Sequence, residues 1–491
     1  MAAPRTPEPA LSVREVDVAV HSLSRFEPLI GTKRYDELNR AAADARHRLD
    51  GQTVWNLSST ATGGGVAEML QVLVGYIQDT GIDIRWLVMT GDAEFFTVTK
   101  RIHNRLHGVA GDDGDLGPDE AQHYQRITDS NVASALDQIR PGDVVLLHDP
   151  QTAGMAASLV AAGALVVWRC HVGREGTNQW TDQAWSFLRP HLTPCAGYIF
   201  SLARYVPSWM EGSRVRVIPP SIDPFSPKNQ DMPTEQVHRT LRQIGLFGRT
   251  DDTSAATFTR RDGTTGRVER QASIVSDGTP LAPDVPLVIQ VSRWDHLKDM
   301  QGVLKGFADV VLESTDAQLA LVGPSVADVT DDPEGAEVFA ECLAAWERLP
   351  EHGRGRVRLV TLPMDDVDEN AAMVNAIQRH ATVVVQKSLM EGFGLTVAEG
   401  MWKSRALIAS RVGGIVQQIT PGTGILLDDP TELTVFGQAL TGLLLEPDEI
   451  VRLGESARRH VLENFVGDKH LLRYAELIEW LVSESAEASG T

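Results

Sequence analysis

The sequence predicts two α/β domains, each built on a mostly parallel sheet covered on both faces, with a cleft between them. Three observations carry that expectation. At 491 residues the chain exceeds what one ordinary core fills. Short apolar strands alternate with helical stretches, as buried parallel sheets require. The alternation weakens once, after residue 219, and resumes abruptly near 286.

Taken in order, residues 1–50 mix short helical patterns with charge and form a leading arm. The strand "TVWNLSST" then meets the glycine turn 63–65 and a helix with apolar Val66, Met69, Leu70, Leu73, Val74 and Ile77. "IDIRWLVMT" supplies the next strand, and others are expected at 143–149, 164–171, 197–200 and 215–220. Residues 248–285, rich in Gly, Thr, Ser, Asp and Arg, read as an irregular insertion or mobile surface segment. Order returns with "PLVIQVSRWDHLKD", and "AQLALVG", "RVRLVTL" and "ATVVVQKS" continue the strands between helices. The domains so defined are 1–219 and 220–460; the final helix, in 461–491, can belong to either, including by packing back on the first.

An apolar fraction of 42% with 23% charged residues describes a soluble globular protein. The net charge of -21 argues against wrapping nucleic acid and against an anionic membrane surface. Cys170, Cys195 and Cys342 are too widely spaced for a zinc or disulfide pattern and read as free thiols. With no signal-like apolar stretch at the N-terminus and no run long enough to span a bilayer, a cytoplasmic protein without membrane insertion is expected.

Four pieces can carry chemistry. Gly63, Gly64 and Gly65 follow a strand and permit close ligand approach, although a structural turn explains them equally. Arg293 and Lys298, in "SRWDHLKD", lie beyond the carboxyl end of a strand, where open sheets bind ligands; they suit a pyrophosphate, or mere surface solubility. In "QKSLMEGFGLTVAEG", Glu391 falls in a glycine-rich turn and Glu399 in the helix that follows. The amides of Gly392, Phe393, Gly394 and Leu395 open that helix and can stabilise negative charge. His148 and His171 each close a strand of the first domain, with Arg174 near the second, and each is as readily structural. Trp168, Trp180 and Trp294 suit sugar faces or core packing.

Together, a GGG turn, R-x-x-x-x-K after a strand and E-G-F-G-L-T-x-x-E resemble the retaining GT-B glycosyltransferases of family 4. "FFTVTKRIHNRLHG", "HDPQTAG", "WRCHVG", "PPSIDPFSPKN", "DDPEG" and "VGGIVQQI" look like its trehalose-forming synthases and their relatives, the trehalose phosphorylases. The resemblance implies a GT-B fold of two Rossmann-like domains facing across a deep cleft. It implies a donor set of Arg293 and Lys298 on the pyrophosphate, Glu399 on the ribose, and Glu391 with the 392–395 backbone on glucose. Gly64 and Gly65 would lie near the phosphates, and His171 near the donor sugar. Gly63, Lys100, Asn104, His148, Asp149 and Arg174 are the acceptor-side candidates.

The implied reaction is NDP-glucose plus glucose giving α,α-trehalose, with UDP-, ADP- or GDP-glucose as cosubstrate. No metal ligands are evident and no cofactor is obligatory, with Mg²⁺ at most stimulatory. Partners would be small sugars and the sugar nucleotide, with no nucleic acid; a homodimer is a family expectation. Three rivals stay open: phosphorolysis of trehalose, transfer to another small acceptor, and a non-catalytic sugar-nucleotide sensor.

Overall fold

The computed structural model describes residues 12–62, 65–250, 254–326 and 333–489. Gly63 and Gly64, and Asp331 and Asp332 of "DDPEG", lie outside them. The chain forms two compact units, 1–220 with 467–491, and 221–466.

The first unit carries a seven-stranded sheet of β1 (Arg14–Glu15), β2 (Val54–Ser58), β3 (Ile84–Val88), β4 (Val144–His148), β5 (Leu165–Cys170), β6 (Gly197–Phe200) and β7 (Val215–Val217), in the order β1-β3-β2-β4-β5-β6-β7. Only β1 runs antiparallel. Every residue of β2 and β4 is buried, which explains their near-continuous apolar sequence. The order reverses between β2 and β4. A doubly wound sheet opens a ligand crevice at such a reversal, outside the carboxyl ends of its strands.

One face of this sheet is closed by chain from both extremes of the unit. The helix Thr32–Arg48 packs with the helix Gly467–Ser489. Arg34 grips the buried Asp468 carboxylate through two hydrogen bonds of 2.5 and 2.7 Å. Arg169, wholly buried on β5, donates to the Tyr474 hydroxyl and to the Ile218 carbonyl. The Thr32–Arg48 part of the leading arm is therefore integral to the sheet's packing.

The second unit repeats the plan with β10 (Ser273–Val275), β11 (Leu287–Val291), β12 (Gln318–Pro324), β13 (Val357–Leu362), β14 (Val383–Gln386), β15 (Ala406–Ser410) and β16 (Ile425–Leu427). Their order is β10-β13-β12-β11-β14-β15-β16, reversing between β11 and β14. Only β10 is antiparallel.

Within the segment expected to be irregular, residues 254–285 carry regular strands. A hairpin of β8 (Thr257–Thr259) and β9 (Thr265–Arg267) leads into β10, which adds an edge strand to the sheet. Its arginines bind the start of the helix Val367–His380: Arg260 to Asp366 at 2.6 Å, Arg261 to Asp368 at 2.9 Å, and Arg270 to Glu369. These arginines are thus paired with residues about a hundred positions away, which no local pattern reveals. Among the described residues, no helix is long and apolar enough to cross a membrane.

Candidate active site

In the second unit, β11 and β14 flank the reversal, and the loops leaving their carboxyl ends are joined. Leu389 N donates to Leu297 O at 2.8 Å. Gln290 ties the same loops from below, donating to Lys298 O at 2.6 Å and accepting from Lys387 N at 2.9 Å. This brings the Lys298 ammonium within 2.9 and 2.8 Å of the two oxygens of Glu391. Ser388 Oγ donates to one of those oxygens at 3.1 Å.

Behind Lys298, Asp299 adopts a left-handed backbone (φ 48°), accepts from Gly302 N and receives the buried Lys387 ammonium. Arg293 is exposed and donates to Asp295 at 3.1 Å. Trp294 is core: its indole donates to Pro324 O at 3.0 Å and meets the edge of Phe339.

Gly392–Leu395 turn from the loop into the helix Leu395–Trp402. Gly394 caps that helix at φ 81°, a conformation that favours glycine. Gln418 donates to Phe393 O at 2.5 Å and Gly414 N to Gly392 O at 2.8 Å, so the turn is held from outside. A side chain at Gly414 would place its Cβ 2.6 Å from the Phe393 Cα.

Glu399 belongs to a different group from Glu391. It is buried, with the Lys228 ammonium 3.7 Å away. One turn on, the buried Lys403 ammonium donates to Asn229 Oδ1 at 2.9 Å, Gln378 Oε1 at 2.8 Å and Glu399 O at 3.3 Å. Burial pushes its pKa down to about 7. Lys403 and the Trp402 indole, which donates to Asn229 O, together anchor the segment bearing Lys228.

In the first unit, β2, β4 and β5 place Asn56, His148, Asp149 and His171 together. His148 is fully buried, with Nε2 3.1 Å from Asn56 Oδ1 and Nδ1 2.9 Å from His171 Nε2. Both of its ring nitrogens are engaged by protein. Asp149 stands in the left-handed region (φ 62°) and accepts from His171 N at 2.9 Å. Burial pushes its carboxyl up to about 7. Trp168 is core and donates to Asp149 O at 2.9 Å.

The remaining candidates are carried by other elements of the unit. Arg174 covers Gly108, just beyond the helix Ala93–Leu106 that carries exposed Lys100 and half-buried Asn104. Arg105 from that helix lies over the Trp180 ring at 5.3 Å. Gly65 begins the helix Gly65–Asp79, with open space where a side chain would stand.

Sequence reasoning missed Asn56, Lys228, Lys387 and Lys403. Asn56 left one trace, as the lone amide within an apolar strand. It also found no metal set, whereas His296, Glu337 and Glu341 bring ligand atoms within 4.8 Å of one another and could hold a cation.

Comparisons with known proteins identify the family and the fold. Residues 56–207 match the family "Trehalose synthase, N-terminal domain", and residues 275–460 match "Glycosyl transferases group 1". The chain is 32% identical to a trehalose synthase of Rubrobacter xylanophilus, over 92% of this chain and 95% of that one. It is 31% identical to a trehalose synthase of Pyrococcus horikoshii, over 96% and 99%. Its fold matches that of an α,α-trehalose-phosphate synthase (UDP-forming) from Burkholderia vietnamiensis, with TM-score 0.62 at 14% identity, covering 90% of this chain and 99% of that one.

Proposed function

This chain belongs to the trehalose synthase family of retaining GT-B glycosyltransferases, and on that premise we propose that it joins glucose from an NDP-glucose to free glucose, forming α,α-trehalose. The observation that carries the reading is the Lys298 ammonium, held 2.8 Å from Glu391 where β11 and β14 diverge. A cation fixed there meets the charge that develops on a departing diphosphate.

In this reading Lys298 and Arg293 take the diphosphate, with the amides of Gly392–Leu395 adding partial positive charge from the helix start. Glu391 orients the glucose hydroxyls and Glu399 holds the ribose. Asp149 and His171 serve the sugar side in the first unit, with Gly65, Arg174, Lys100 and Asn104 as further contacts. The acceptor hydroxyl attacks the anomeric carbon on the face the diphosphate leaves. The carbon–oxygen bond to phosphate breaks, and the hydroxyl proton passes to the leaving phosphate oxygen. No protein nucleophile is required. His296 on the same loop, with Glu337 and Glu341 of the helix Pro333–Glu347, suits a divalent cation, and Mg²⁺ stimulation fits that set without being required by the steps above.

Incubating the purified protein with trehalose and UDP, ADP, GDP or inorganic phosphate separates the readings. NDP-glucose and glucose, formed only with a nucleotide, are expected. Glucose 1-phosphate formed with phosphate alone would overturn the proposal in favour of phosphorolysis.

A further inference from the structure

We infer that Asn56 and His148 are positioning residues that hold His171 in a single tautomer, proton on Nε2 and lone pair on Nδ1. The three side chains form a line across adjacent strands: Asn56 on β2, His148 ending β4, His171 just beyond β5. The links are 3.1 Å and 2.9 Å long. A neutral imidazole has one donor and one acceptor nitrogen, so each link dictates the next. Asn56 Oδ1 only accepts, so His148 Nε2 carries the proton. His148 Nδ1 is then a lone pair, and His171 Nε2 must donate to it. What remains at His171 is a bare Nδ1, for which the described residues supply no hydrogen-bond partner.

Two observations close the other routes. Burial keeps both rings neutral, with His148 pushed down to about 3 and His171 well below its usual value, so neither escapes the constraint by taking a second proton. The His171 ring is also fixed in place. Its backbone N–H is bound to Asp149, and its ring lies within 16° of parallel to that of His148.

The order of the relay rests on the orientation of one buried amide. Asn56 Nδ2 has no partner, and reversing the amide would reverse every proton in the line. As placed, His171 presents an acceptor. Taken with the reading that His171 faces the sugar, a group entering there must donate, as a hydroxyl does; an ether or fluorine at the same place would be refused.

The test is long-range ¹H–¹⁵N NMR of the full chain labelled at the histidine rings, without substrate. Of the 14 histidines, His171 and His148 are assigned from H171Q and H148Q spectra. A bare Nδ1 and a protonated Nε2 are expected at both. Asn56→Leu should move both His171 nitrogens toward averaged positions, and Asn56→Asp, which keeps only acceptor oxygens, should restore the unmixed pattern. A protonated Nδ1 at His171 overturns the proposal, as does a His171 pattern unchanged by N56L. Should N56L fail to fold, the unsubstituted protein and N56D still decide, because loss of the pattern in N56D also overturns it. No substrate is present, so an error in the assigned reaction leaves the result intact.

Discussion

A lysine that sits on a carboxylate beside a helix start is poised between two partners. Lys298 bonds both oxygens of Glu391. Lys298→Met is expected to lower kcat by ~10²–10³, the usual loss when one donor to developing charge is removed, read from initial rates with NDP-glucose. Asp149 makes the opposite bargain. Its carboxyl titrates near 7 in the fold against 3.8 in the open chain. Between those values the unfolded chain releases the proton first, so stability falls as pH rises through the window. Asp149→Asn keeps the acceptor for His171 N and tolerates the left-handed backbone. It should therefore raise stability by ~2–4 kcal/mol at pH 8 while lowering activity, as thermal melts and acceptor kinetics will show. In the parent enzyme, kcat/KM for the acceptor should climb as pH passes about 7. The strand-end positions of Arg293, Lys298 and Asp149 were legible in the sequence. The pairings of Lys298 with Glu391 and of Asp149 with His171 were not, because those partners follow strands adjacent in the sheet and distant in the chain.

The hairpin of β8 and β9 shows what short elements conceal. Each of its strands has three residues, too few for a period to declare itself. What orders it is ionic and remote. Glu369, 2% exposed, accepts from the backbone N–H groups of Glu269 and Arg270 as well as from the Arg270 guanidinium. Glu369→Ala would strand those donors. The expected cost is ~1–3 kcal/mol, seen as a lower urea midpoint and as new protease cleavage within 254–272. Cleavage unchanged from the parent would show that β10 alone anchors the segment. Strands β2, β4, β11 and β14, by contrast, were readable from their apolar runs and the turns that bound them.

Over the whole molecule, both sheets obey one rule: the strand order reverses once, and the charged or imidazole groups gather at the carboxyl ends beside that reversal. Periodicity predicted the strands, but order within a sheet is a property of crossovers and had to be seen. The same holds for the return of the last helix to the first unit. Leu471, Tyr474, Leu477, Ile478 and Leu481 are buried in it. At roughly 1.5–3 kcal/mol for each large apolar side chain, their removal is comparable with the whole margin of an ordinary domain. A chain ending at residue 466 is expected to lose the cooperative melt of the first unit, measurable by calorimetry against the full chain.

That return also sets a timetable. The ribosome emits β1 to β7 early, yet the helix that covers their sheet emerges only after all of Ser221–Val466. At ~5–20 residues per second the interval is on the order of 10–50 s. Throughout it the nascent first unit carries an uncovered apolar face, while the second unit can already close behind it. Translation thus reverses the order of folding: the half of the enzyme made first is the half completed last, and until then it is a natural client for chaperones.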